Sequence, residues 1–190
     1  MTGNVVTQPS PLLTEDEYLS FERSSAIRHE YLAGQIYAMA GATREHNLIT
    51  GNVAGELRMR LKGKPCETYS NDMRVRISRS SQYTYPDVVV VCGPPQFLDD
   101  QADTLLNPLV IIEVLSSSTE AYDRGGEFRD YRSIESFSEY VLIAQAKKSA
   151  DHFTKINNIW TIQEVEQEIR FVTIPCTLTF SEIYDRVELS

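Results

Sequence analysis

Asp87 and Glu113 are the residues whose type and placement most clearly invite chemistry. Asp87 opens the run Asp87-Val-Val-Val-Val91 directly after Pro86, and Glu113 interrupts the apolar run Leu109-Val-Ile-Ile-Glu-Val-Leu115. Short β-branched runs bounded by Gly and Pro read as central strands buried on both faces. A charged side chain is costly there unless it is paired. If the two strands are antiparallel neighbours, the start of one lies beside the end of the other, and the carboxylates meet at one edge of the sheet. Two such groups resist ionising together unless something compensates them. A hard divalent cation does so, since Mg²⁺ takes one or two carboxylates and keeps waters for a substrate phosphate. The competing reading is structural, with either acid capping a backbone end or pairing with an arginine.

The elements that must position these acids are legible from periodicity. Residues 1–12, with Pro9 and Pro11, read as a loose tail, and residues 13–190 as a single domain. Thr14 is placed to cap a short helix through about Glu22, with Glu15, Asp16 and Glu17 in its first turn. Residues 30–40 alternate around Ala33-Gly34, which predicts a hairpin or bent strand. Ile49, Val53, Leu57 and Leu61 recur every four residues and define the buried stripe of a helix from about Thr43 to Lys62, stopped by Gly63-Lys64-Pro65. Met73 to Ile77 alternates as a half-buried strand, with Arg74 and Arg76 on the face away from the apolar side chains. Tyr85–Cys92 and Pro108–Leu115 are the two acid-bearing strands, followed by a helix from about Tyr122 to Ile134 and a strand from Glu139 to Ala144. The remainder reads as antiparallel strands turning at Asn157-Asn158, then a short helix around Phe180 to Val187. The predicted class is α/β, with a core order of helix, three strands, helix, strand.

Composition narrows the function classes. Asp and Glu total 27 against 18 Lys and Arg, a formal net charge of −9, which excludes a uniformly basic surface for wrapping nucleic acid. The chain is not uniform, however. Residues 58–79 carry Arg58, Arg60, Lys62, Lys64, Arg74, Arg76 and Arg79 against only Glu67 and Asp72, and phosphate contacts are a natural use of such a segment. A solvated helix end and strand face is the bland reading. No apolar run approaches the ~20 residues of a membrane span, and the N-terminus shows no export signal. Cys66, Cys92 and Cys176 are odd in number and widely spaced, so reduced, packed thiols in a cytoplasmic protein are expected.

The motifs also resemble a family. Tyr85-Pro86-Asp87, followed at a distance by Glu113-Val114-Leu115-Ser116, is similar to the active-site signature of the PD-(D/E)XK restriction-endonuclease-like superfamily. The wider set resembles its Uma-type branch, a domain of unknown function. That set comprises Arg28-His-Glu-Tyr-Leu-Ala-Gly34, His46-Asn47, Asp72-Met-Arg-Val-Arg76, Ser118-Thr119, Asp123-Arg-Gly125, Phe128, Tyr131 and Glu139-Tyr-Val-Leu142. The resemblance implies a core of helix, three antiparallel strands, helix and strand, here with extra C-terminal antiparallel strands. It also implies Mg²⁺- or Mn²⁺-dependent hydrolysis of DNA phosphodiesters, often by a homodimer. Asp87, Glu113 and the carbonyl of Val114 would be the metal ligands, with Glu30 and His46 lining the site.

One departure stands out. The superfamily commonly has lysine two residues after the second acid, where this chain has Leu115, and the Uma-type branch moves it to the next helix, where this chain has Glu127. Loss of such a charge-stabilising group costs ~2.7–4 kcal/mol, or about 10²–10³ in rate. Arg124 or Arg129, in the same helix, is the expected substitute, and Arg74 with Arg76 is the expected phosphate-binding pair. Gly125-Gly126-Glu127-Phe128 is only superficially similar to a diguanylate-cyclase signature, because it opens a helix and lacks the second acid. Two further readings stay open: a nucleic-acid-binding or assembly module of the same fold without hydrolysis, and a structural homo-oligomer using the terminal strands. Ser116 to Thr119 reads as a cap for the following helix.

Overall fold

The computed structural model describes residues 12–116 and 123–189. The proposed cap through Thr119, the helix start at Tyr122 and all but the last residue of the N-terminal tail lie outside them. Thr14 caps α1 (Glu15–Ser24) with a reciprocal box, its hydroxyl accepting the Glu17 N–H while the Glu17 carboxylate accepts from the Thr14 N–H. Two short strands, β1 (His29–Leu32) and β2 (Gln35–Ala38), form the predicted hairpin about Ala33-Gly34. Thr43 caps α2 (Arg44–Leu61) by accepting the His46 N–H, and the helix ends before Gly63, whose φ is +77°.

Two sheets follow. β4 (Arg74–Ile77), β5 (Gln82–Thr84) and the two-residue β7 (Thr104–Leu105) join the hairpin in a five-stranded sheet of order β2-β1-β5-β4-β7. β3 (Cys66–Ser70), β6 (Val88–Cys92), β8 (Val110–Leu115), β9 (Glu139–Ala144), β10 (Ala150–Ile156) and β11 (Ile159–Val165) make a six-stranded sheet of order β11-β10-β9-β8-β6-β3. One of its faces packs on α2 through Ile49, Val53 and Leu57 against Val88, Val90, Ile112 and Val141. The opposite face packs on the five-stranded sheet through Val89, Val91 and Ile111 against Val75 and Ile77. α1 covers the far side of that second sheet, where Tyr18 stacks on Tyr31. The order of layers is thus helix, sheet, sheet, helix.

Three expectations are corrected. The first strand of the α2-bearing sheet is Cys66–Ser70 rather than Met73–Ile77, which belongs to the other sheet. The strand expected over Tyr85–Cys92 is two elements, and the chain passes from one sheet to the other at Tyr85-Pro86-Asp87, where proline cannot donate to a ladder. Cys66 and Cys92 face each other in the β3–β6 register and form a disulfide, whereas Cys176 is buried and free. That bond removes the thiol part of the argument for a reducing compartment.

The described part of the predicted helix before Ile134 is a π-helical turn, Asp123–Glu127, running into one α-turn, α3 (Phe128–Tyr131). β10 and β11 turn at Asn157 and Asn158, both with positive φ as a tight hairpin requires. β12 (Glu168–Arg170), β13 (Thr177–Thr179) and α4 (Phe180–Ile183) close the chain and pack against α2. Among the described residues no helix is long and apolar enough to cross a membrane.

Candidate active site

The antiparallel β6–β8 register, Val88 opposite Ile112, brings Asp87 beside Glu113. The two acids brace each other's strands. The Glu113 carboxylate accepts the Asp87 N–H at 3.0 Å, and the Asp87 carboxylate accepts the Val114 N–H at 2.8 Å. Part of the structural reading therefore holds as well, since each acid satisfies a backbone donor where the ladder ends. Neither acid pairs with an arginine among the described residues.

More acids converge on the same point. Glu127 reaches it from the end of the π-helical turn and accepts from the Tyr131 hydroxyl at 3.0 Å and the Tyr140 hydroxyl at 3.3 Å. Tyr131 also lies 3.4 Å from Glu113 and 2.8 Å from the Thr84 hydroxyl. Burial, and then the charges of Glu127 and Asp87, hold Glu113 well above the ordinary carboxylate range. Burial, then Glu30 and Asp123, does the same to Glu127. Glu30 on β1 is also raised, chiefly by burial and then by Asp123, although the Tyr85 N–H bonded to it pulls the other way.

His46, in the first turn of α2, places Nε2 at 3.1 Å from an Asp87 oxygen. Burial opposes charge on its ring, yet the bond to Asp87, that group's charge and the Val114 backbone raise it above its ordinary value. Five acids, Glu30, Asp87, Glu113, Asp123 and Glu127, thus share a region with one imidazole. Asp123 and the phenols of Tyr131 and Tyr140 were not anticipated as site residues. A clue was the spacing of Tyr131, four residues after Glu127 and so on one helical face.

The arginines expected to meet phosphate are mostly held in ion pairs. Arg74 and Arg76 do not form a phosphate-binding face. Arg74 is only 2% exposed, donates to Thr104 and Tyr85 and pairs with Asp103. Arg76 pairs with Glu15 and donates to Tyr83. The face opposite Val75 and Ile77 was expected to meet solvent, but α1 lies over it. Arg124 pairs with Asp151 on β10, and Arg129 lies exposed beside Asp130. Arg58, Lys62 and Lys64 line a surface cavity of about 690 Å³ together with Tyr69, Asp72 and Asp103.

Among the described residues, no three histidine, cysteine or acidic side chains stand at metal-ligand spacing. The donor set nevertheless fits a hard cation in kind. It is oxygen-rich, and Glu113 and Glu127 are buried without a guanidinium or ammonium partner among the described residues.

Comparisons with known proteins bear on the family and the fold. A family model, Uma2, described as "putative restriction endonuclease", matches residues 15–183. Two proteins of Synechocystis sp. (strain ATCC 27184 / PCC 6803 / Kazusa) are similar to the chain. The uncharacterized protein slr1290 is 37% identical over 155 residues, covering 82% of this chain and 80% of that protein. The uncharacterized protein sll1609 is 34% identical over 165 residues, covering 86% and 93%. The crystal structure of a "putative nuclease belonging to DUF820" from Anabaena variabilis ATCC 29413 superimposes with a TM-score of 0.74 at 14% identity, over 93% of this chain and 99% of that one.

Proposed function

For a chain that belongs to the Uma2 family and has a restriction-endonuclease-like α/β fold with added C-terminal antiparallel strands, we propose hydrolysis of DNA phosphodiester bonds with Mg²⁺ or Mn²⁺ as cofactor. The observation that carries this reading is the mutual bracing of Asp87 and Glu113 inside a surplus of buried acids. Asp87, Glu113 and the Val114 carbonyl would hold the cation, which when bound polarises a phosphate oxygen and makes hydroxide accessible near neutral pH. His46 keeps a proton directed at Asp87, which orients that carboxylate. Glu30 adds negative charge from β1. A cytoplasmic homodimer, with one site for each strand of a duplex, is the assembly that this reading calls for.

Glu127 limits the rate. Its carboxyl is turned to two phenols and supplies no positive charge for the phosphorane, so activity is expected to fall about 10²–10³ below that of a lysine-bearing site. The same observation favours a second reading, a nucleic-acid-binding or assembly module that does not hydrolyse. Nicking of supercoiled plasmid in Mg²⁺ separates the two, with Asp87→Ala as the blank. Little cleavage by the wild type and measurable nicking by Glu127→Lys is the expected result. Strong Asp87-dependent cleavage by the wild type would mean that another cation serves. No cleavage by either form, with metal binding intact, would establish the non-hydrolysing module.

A further inference from the structure

The β1–β2 hairpin carries an aromatic side chain that neither the core nor the acid cluster uses. Tyr37 is 48% exposed, and among the described residues its ring packs on no other aromatic ring. Its position is specific. Tyr37 lies directly opposite Glu30 in the antiparallel register, and residues directly opposite in such a pair project from the same face. That is not the face covered by α1, which belongs to His29 and Tyr31. It is the face on which Glu30 meets the charges of Asp123 and Glu127. The register Tyr31↔Tyr83, taken one residue on, sets Thr84 on the far side of Glu30, and Thr84 touches Tyr131 within the cluster. A row running Tyr37, Glu30, Thr84 therefore leads from the exposed sheet edge to the candidate site.

Gln35 completes the feature. The Tyr37 hydroxyl donates to Gln35 Oε1 at 2.6 Å, which steadies the ring and leaves the amide N–H donors of Gln35 turned to solvent. An exposed aromatic face beside an amide donor has the chemistry to hold a nucleobase, stacking on its π-surface and donating to an acceptor on its edge.

Resting on the phosphodiesterase reading above, we propose that Tyr37 and Gln35 form a subsite for an unpaired nucleobase next to the scissile phosphate. The subsite takes a base from single-stranded DNA, or one turned out of a duplex, and contacts no phosphate. It therefore contributes affinity that does not depend on salt.

Fluorescence anisotropy of a labelled short single-stranded DNA, with the full chain in Ca²⁺ across a series of KCl concentrations, tests this. Tyr37→Ala is expected to weaken binding roughly tenfold, within the range for loss of one base–aromatic stack, without changing the slope of log affinity against log salt. Tyr37→Phe, which keeps the ring, should bind within about twofold of wild type by the same stacking argument. On an oligonucleotide of abasic residues, wild type and Tyr37→Ala should bind equally. Equal binding of the base-bearing strand by wild type and Tyr37→Ala, or a flattened slope in that variant, would overturn the subsite and leave the nuclease reading standing. No DNA binding by wild type at low salt would overturn both.

Discussion

Glu113 and Glu139 occupy adjacent parallel strands of one sheet, both are buried, and they behave oppositely. Glu139 is fully buried and lies in register with Val110 of the Glu113 strand. Its carboxylate accepts from His152 Nε2 at 2.6 Å, from the Val172 and Thr173 N–H groups and from the Thr173 hydroxyl. Burial alone would raise it, but those donors hold it below the ordinary glutamate value. Glu113 has one backbone donor and a longer contact to Tyr131, faces Glu127 and Asp87, and is held well above that value. Burial therefore does not set the direction in which a buried acid is shifted; the supply of donors does. At Glu139 the fold supplies every partner, whereas at Glu113 it gathers more negative charge, which on the proposed reading a bound cation would balance.

Substitutions can sharpen or break this contrast. The largest effect is expected from Glu139→Ala, which leaves the buried His152 without its carboxylate and the Val172 and Thr173 N–H groups without their acceptor. A loss of about 3–5 kcal/mol in urea unfolding is expected, as for removal of one partner of a buried pair. Tyr131→Phe should follow at about 1–3 kcal/mol, because it removes the hydroxyl that donates to the Glu127 and Glu113 carboxyls and contacts the Thr84 hydroxyl. Glu113→Gln in metal-free protein should leave stability unchanged or raise it by about 1 kcal/mol, since the amide oxygen can still accept the Asp87 N–H while a repelling charge disappears. A loss as large as that of Glu139→Ala would make Glu113 a structural acid and end the contrast.

The smallest effect lies in the pH profile. A carboxyl with a depressed folded pKa adds stability that is fully present above its unfolded pKa, about 4.3 for glutamate, and is lost as pH falls through the folded value. Glu139 has that sign, and so does Asp103, which is lowered first by its bond from Arg23. Glu139→Gln should therefore shallow the acid limb of stability against pH. An unchanged limb would mean that the Glu139 donors do not act on its ionised form.

Much of the site could be read from sequence because its signals were local. Asp87 after Pro86 and Glu113 within an apolar run are anomalies against strand burial, and antiparallel pairing then forces them together. The α2 stripe and the Asn157-Asn158 turn were legible for the same reason. What depended on distant layers was not. The alternation of Met73–Ile77 was correct, but nothing local said that α1 would cover its polar face, so Arg74 and Arg76 are taken up in ion pairs with Asp103 and Glu15. Pro86 marked a break without revealing that it divides two sheets. Cys66 and Cys92 are 26 residues apart, and only the β3–β6 register makes them neighbours.

The central claim is that Asp87 and Glu113 form a cation site completed by a ligand. Thermal unfolding of wild type and of the Asp87→Asn, Glu113→Gln double variant, each titrated with Mg²⁺ and Mn²⁺, tests it most directly. A metal at one hundred times its dissociation constant adds about 2.7 kcal/mol, which corresponds to a rise of roughly 5–10 °C in Tm for a chain of this size. The account predicts that rise in wild type and none in the double variant, whereas equal shifts in both proteins, or no shift in either, would contradict it.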